Sequence, residues 1–297
     1  MLTGLRLSEV ETVMPDFDPV LPDEGINVDK SHPLANIFIM LFGTVVILAI
    51  CYSLVGVFSD FIADRISLDQ EKKIGAVFIS TGLIPELSSS RLASNSQVSE
   101  NIRRLGETLW QPYSRDNKRP TPEFAIRKVS FPNAFTYPGA KILVTSTLLE
   151  QATSENEISF VICHELGHYY FRHPLKHLGR GLFFLLISTV IDFSANSSEV
   201  LTSGFNMATL NYSREQEERS DSFALGCLNK KYGHVNGFEH FFKKIEKLDL
   251  LGSNNFKILK YSRTHPLTSE RIQNLKEEAV SKGYRLNGGL KPSDLYQ

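Results

Sequence analysis

Ile158-Ser159-Phe160-Val161-Ile162-Cys163-His164-Glu165-Leu166-Gly167-His168-Tyr169-Tyr170 is the stretch on which the fold and its chemistry turn. Ile158, Val161, Ile162, Leu166 and Tyr169 recur at helical spacing, so the segment reads as a helix with an apolar stripe. Ser154 and Glu157 have the spacing of a capping box at its start, and Pro174 stops it. On a helix, His164 and His168 stand one turn apart on the same face, about 5–6 Å from each other. Two imidazoles so placed bind a single Zn²⁺, and Glu165 between them is then beside the metal as a general base.

A catalytic zinc takes three protein ligands and keeps one position for water. The third ligand is sought in Ser213-Arg214-Glu215-Gln216-Glu217-Glu218-Arg219-Ser220-Asp221, a charged run that leads into the more apolar Phe223–Leu228. Glu217 and Asp221 share a helix face. Glu217 is a candidate ligand, and Asp221 a candidate acceptor for the outer ring N–H of a ligating histidine. Charge spacing alone leaves Glu215 and Glu218 open as alternatives to Glu217.

Ser-Arg-x-x-Glu-x-x-x-Asp downstream of His-Glu-x-x-His resembles the gluzincin metalloproteases of the CAAX prenyl protease, HtpX and mitochondrial OMA type, in particular the single-span members. Three further segments are similar to that family in the same order: Asp69-Gln70-Glu71-Lys72-Lys73-Ile74-Gly75, Asn133-Ala134-Phe135-Thr136-Tyr137-Pro138-Gly139-Ala140, and Thr264-His265-Pro266 through Glu270-Arg271-Ile272. Ala140 stands where the family usually has a second Gly, and Ser220 where it usually has Ala. The resemblance implies a zincin-like fold, mainly α with a small β-sheet (α+β), and one zinc per chain. It assigns the third ligand to Glu217 and a place near the active site to His265, read here as donor to the oxyanion. Arg214 is a second candidate donor, but a salt bridge to a neighbouring acid is expected of it. The resemblance also makes Gly139–Thr145 a strand at the edge of the cleft, where an extended peptide adds by strand pairing.

No Asp, Glu, Lys or Arg occurs between Lys30 and Asp60, and the core from Leu34 to Phe58 is long enough to cross a bilayer as a helix. The expected organisation is an acidic disordered tail over 1–33, a transmembrane helix over 34–59 and a zinc metalloprotease domain over 60–297. The Lys/Arg balance around the span points to a cytoplasmic domain, while the resemblance points to the periplasm or intermembrane space. The three cysteines, Cys51, Cys163 and Cys227, give no disulfide framework and do not arbitrate.

The net charge of −1 hides a split, because the first 33 residues carry seven acids against Arg6 and Lys30. The remainder is mildly basic, with no concentrated block of Lys and Arg interleaved with aromatics, so nucleic acid is excluded as a partner. Leu182–Val190 reads as a buried helix. Ser88–Ser99 and Gln111–Pro122 read as loops, Ser194–Ser203 as a lid near the cleft, and Ser269–Lys282 as an amphipathic helix with Ile272 and Leu275 inward. His173, pointing elsewhere on its helix, and His177, His234 and His240 are not read as ligands. The functional expectation is a membrane-anchored zinc endopeptidase acting on proteins or peptides, in protein quality control. The alternative is a zinc-binding, chaperone-like or autoinhibited protein of the same fold, with His265 or a loop in the open coordination position. Oligomeric state is not legible.

Overall fold

The computed structural model describes residues 33–80, 96–117, 119–129, 131–179, 212–250, 265 and 269–293. The expectations for the tail over 1–32, for Leu182–Val190 and for the lid over Ser194–Ser203 lie outside these residues. The chain divides into two units, 1–50 and 51–297.

The first helix, α1, spans Pro33–Arg65 and is long and apolar enough to cross a membrane by length and composition. Leu34, Phe38, Met40, Phe42 and Val45 are each more than 60% exposed. In the second unit, Ala63 at the end of α1 packs against Leu175 and Leu178. Helix α2 follows over Leu68–Ser80. A Cβ built on its Gly75 would lie 2.1 Å from the carbonyl oxygen of Pro138. Only glycine permits that approach, and it joins the Glu71–Gly75 segment to the Pro138-Gly139 turn. Helix α3 spans Ser96–Asn117, which corrects two expectations: Gln111–Asn117 is helical despite Pro112, and Ser96 and Ser99 open the helix rather than extend a loop. The reason is the amphipathic stripe of Val98, Ile102, Leu105 and Leu109, all buried, which runs on into Trp110 and outweighs the local breakers.

The sheet has three strands, β1 (Glu123–Arg127), β2 (Ala134–Tyr137) and β3 (Lys141–Thr145), in the order β1-β3-β2. β3 is parallel to β1 and antiparallel to β2. The strand over Gly139–Thr145 is therefore central, not the edge expected from sequence, and β1 and β2 are the outer strands among the described residues. β3 has an uninterrupted apolar core at Ile142, Leu143 and Val144, all buried, which fits a strand paired on both sides. The Pro138–Ala140 turn holds Gly139 at φ 91° and Ala140 at φ 62°. Position 140 thus needs the left-handed backbone that a glycine adopts without cost, which explains the family's usual Gly there.

Thr145 caps the short helix α4 (Ser146–Gln151). The central helix α5 spans Glu155–Tyr170, with every residue from Asn156 to Tyr169 buried. Half of its expected capping box forms: Ser154 accepts from Glu157 N, while the Glu157 carboxylate instead accepts from Thr153 N and Oγ1 and from Lys244. α5 ends at Phe171, ahead of Pro174, and Arg172 takes a left-handed φ of 58° before the helical residues 173–179 begin. Helix α6 (Arg214–Tyr232) begins with a complete capping box between Ser213 and Gln216 and ends at Gly233 in the left-handed conformation. Helices α7 (Phe238–Leu250) and α8 (Ser269–Ser281) complete the described elements; Leu275 is buried on α8 and Ile272 half-buried, as expected. The core lies between α3, α5, α6, α7 and the sheet, around Trp110, Phe160, Tyr169, Phe238 and Phe241.

Candidate metal centre

Two antiparallel helices build the site. α5 and α6 approach so closely that a Cβ on Gly167 would lie 2.9 Å from the Cα of Ser220. A small residue is needed on both sides of that crossing, so Ser in place of the family's usual Ala is accommodated, fully buried. Because Ser213 fixes where α6 starts, it also fixes the phase at which Glu217 and Asp221 face α5.

His164 Nε2 and His168 Nε2 lie 2.9 Å apart. Glu217 reaches both, at 3.4 Å to His164 Nε2 and 3.3 Å to His168 Nε2. His265 joins them, with Nδ1 2.9 Å from Glu217 Oε1 and 3.2 Å from His164 Nε2. One donor atom from each of His164, His168, Glu217 and His265 lies within 4.8 Å of the others, and all four residues are buried. Glu215 and Glu218, the alternatives from charge spacing, are exposed. His265 was expected beside the metal centre; its Nδ1 lies inside the donor cluster, while Nε2 is 3.4 Å from Glu165 Oε1.

Asp221 Oδ1 lies 2.8 Å from His164 Nδ1, the outer nitrogen of that ring. This is the contact that fixes which nitrogen faces a metal. Arg271 on α8 binds Asp221 through Nε and Nη2 and reaches Glu217 Oε2 at 2.7 Å. Thr136 on β2 lies 2.7 Å from Glu165 Oε2 and 2.8 Å from Glu165 O, so its single hydroxyl hydrogen is donated to one of them. Glu165 Oε1 is buried with no hydrogen-bond partner among the described residues. Arg214 is exposed and pairs with Glu218 and Glu270, as the salt-bridge reading expected.

The electrostatics call for a cation. Burial works against ionising Glu217, but His265, Arg271 and His164 outweigh it and hold the carboxyl well below its ordinary range. Asp221 is likewise lowered by Arg271 and His164 against its burial. Burial would lower His164, yet Glu217 and Asp221 raise it to about 9, whereas burial wins at His168 and keeps that ring neutral. The opposite directions of the two rings describe one cluster that attracts a single positive charge at its acid side. A divalent metal would supply positive charge there, and imidazoles with one carboxylate are a set that zinc takes. The residues present therefore fit the metal, and the unpartnered Glu165 Oε1 lies beside them.

Sequence reasoning missed four contributors. His173, read as pointing elsewhere, is buried with Nδ1 3.0 Å from His168 Nδ1, because the left-handed turn at Arg172 brings it back under α5. Tyr212 stacks on His168 at 3.9 Å between ring centroids, and its phenol is pushed up by burial and by Glu165 and Glu217, so it stays a donor. Thr136 and Arg271 sit within segments already matched by resemblance, which was the available signal for both. A fifth correction concerns the cysteines. Cys163 and Cys227 form a disulfide between α5 and α6, with Cα atoms 6.1 Å apart. Sequence gave no hint of it, since the pair meets only through the antiparallel crossing of two helices 64 residues apart.

Residues 96–279 match the family described as peptidase family M48. A putative beta-barrel assembly-enhancing protease of Vibrio cholerae is 26% identical over 227 residues, covering 72% of this chain and 45% of the relative. The mitochondrial metalloendopeptidase OMA1 of Schizosaccharomyces pombe is 26% identical over 152 residues, covering 49% of this chain and 43% of the relative. The metalloprotease LoiP of Escherichia coli is 24% identical over 202 residues, covering 65% and 75%. The chain thus spans less than half of the first two relatives.

Proposed function

Because the chain belongs to peptidase family M48, we propose that it is a membrane-anchored zinc endopeptidase acting on proteins, in protein quality control. The observation that carries this reading is the convergence of His164, His168 and Glu217 from two distant helices onto one buried point. In this reading residues 1–33 are a tail, 34–59 the span, and 60–297 the peptidase domain.

His164, His168 and Glu217 would hold the zinc, with Asp221 orienting His164 and His173 contacting the outer nitrogen of His168. A bound zinc would acidify a water molecule and polarise the scissile carbonyl. Glu165 would act as the general base through Oε1, which has no hydrogen-bond partner among the described residues, and would return the proton to the leaving amine. Thr136 steadies the other carboxylate oxygen from β2. β2, which carries Thr136 and is an outer strand among the described residues, is suited to pairing with an extended substrate. His265 would be a fourth residue able to hold the metal, and a substrate would have to displace it. Once displaced, its ring N–H is available to the oxyanion. That position of His265 also favours a second reading, a zinc-binding protein held inactive by its own histidine.

The disulfide supports placing the peptidase domain on an oxidising side of its membrane, against the weak charge bias toward the cytoplasm. Casein cleavage by the detergent-purified chain, compared with Glu165→Gln, tests the activity. Loss of cleavage with the metal retained is expected, at about 10²-fold or more. Equal cleavage by both proteins removes Glu165 as the base, and no cleavage by the native sequence with cleavage gained in His265→Ala favours the second reading.

A further inference from the structure

A cavity of about 490 Å³ lies away from the metal cluster, beside the end of α1. Its wall combines Asp64 and Ile66, where the apolar helix ends, with Arg172 and Lys176 beyond the end of α5. Arg119 and Arg219 face it as well, so four cations line it against two acids, Asp64 and Glu71. Those acids do not balance the cations. The buried Glu71 carboxylate is shared between Arg119 at 3.0 Å and Arg172 at 2.8 Å. Asp64 is 63% exposed at its side chain and stands 3.5 Å from Lys176, a pair weakened by solvent. Arg219 lies over the Phe171 ring at 4.3 Å and has no acid partner among the described residues. Arg172 keeps Nε buried with no hydrogen-bond partner among those residues.

A wall closed by ion pairs alone carries as many acids as bases. This one leaves an excess of two positive charges and an unsatisfied guanidinium N–H around an open volume. Guanidinium forks with a lysine are the donors that hold a phosphate. Ile66 and Leu68 add apolar wall, which a free inorganic ion does not require. The position matters too: Arg65 ends the helix long and apolar enough to cross a membrane, so residues 64–68 stand where such a chain emerges at headgroup level.

We propose that this cavity binds an anionic phosphate group, presented by an anionic phospholipid headgroup or by a small glycerol phosphate. The lipid source rests on reading α1 as a membrane span; the cavity's charge does not.

The test uses the full chain in nanodiscs. One arm compares phosphatidylcholine discs with discs containing phosphatidylglycerol, and reads the shift in thermal midpoint and the lipid retained in native mass spectra. A second arm adds sn-glycerol 3-phosphate to phosphatidylcholine discs. Each arm is repeated with Lys176→Gln/Arg219→Gln, which spares the Glu71 pairs, and with Lys243→Gln/Lys282→Gln, which removes the same charge elsewhere. A stabilisation in either arm that weakens about tenfold or more in apparent affinity only in the cavity variant supports the site, the loss of one charge-assisted hydrogen bond being of that size. The first arm responding identifies a lipid; the second alone identifies a soluble phosphate and leaves the peptidase reading untouched. No shift in either arm, or equal loss in both variants, overturns the proposal.

Discussion

Replacing both bridged cysteines, as Cys163→Ala/Cys227→Ala, removes a cross-link that closes a loop of 64 residues. Chain entropy puts the loss for a loop of that length at about 4 kcal/mol. Such a loss is about a quarter or more of the stability of most domains, roughly 5–15 kcal/mol. Alanine is chosen because both positions are buried and a serine hydroxyl would have to find a partner there. The bridge joins the residue before His164 to the helix that carries Glu217, so its loss also loosens the crossing that assembles the metal cluster. Urea unfolding of the solubilised chain, with and without reductant, gives the stability. Thiol counting in denaturant gives the pairing: one reactive thiol, Cys51, without reductant and all three after reduction. Three thiols in the unreduced protein purified from its native compartment, or a urea midpoint unchanged in the double variant, would refute the pairing and the compartment inferred from it.

Two further predictions concern the surroundings of the metal cluster. Asp221→Asn keeps the shape but weakens the hold on His164 Nδ1 and leaves Arg271 undercompensated. Competition with a chelator is expected to show zinc affinity lower by about 10–100-fold, and unchanged affinity counts against the orienting role. Thr136→Val removes the hydroxyl that donates to Glu165. A hydrogen bond to a charged group contributes about 1.5–3 kcal/mol, so kcat falls roughly tenfold to a hundredfold while zinc content holds. An unchanged kcat would mean that the hydroxyl serves the Glu165 carbonyl instead.

Much of the site was legible because its chemistry is local. His164, Glu165 and His168 are set by one helix, and Glu217 with Asp221 by another, so spacing alone defines each face. Spacing could not choose Glu217 over Glu215 and Glu218; the resemblance did, and of the three only Glu217 is buried. What stayed hidden depends on elements meeting. The disulfide needs the α5–α6 crossing, and the return of His173 needs a left-handed Arg172. The strand order also escaped, because an apolar run such as Ile142-Leu143-Val144 is the same in a central strand and beside a buried edge. Loops were drawn too generously at Gln111–Asn117, where Pro112 and polar side chains outweighed the buried stripe in the reading but not in the fold.

The most direct test of the account is the zinc content of the purified chain, measured by mass spectrometry of the metal for the native sequence and for Glu215→Ala, Glu217→Ala and Glu218→Ala. The account predicts about one zinc per chain in the native protein and in the variants at 215 and 218, and its loss at 217 alone. Full zinc in Glu217→Ala would contradict it.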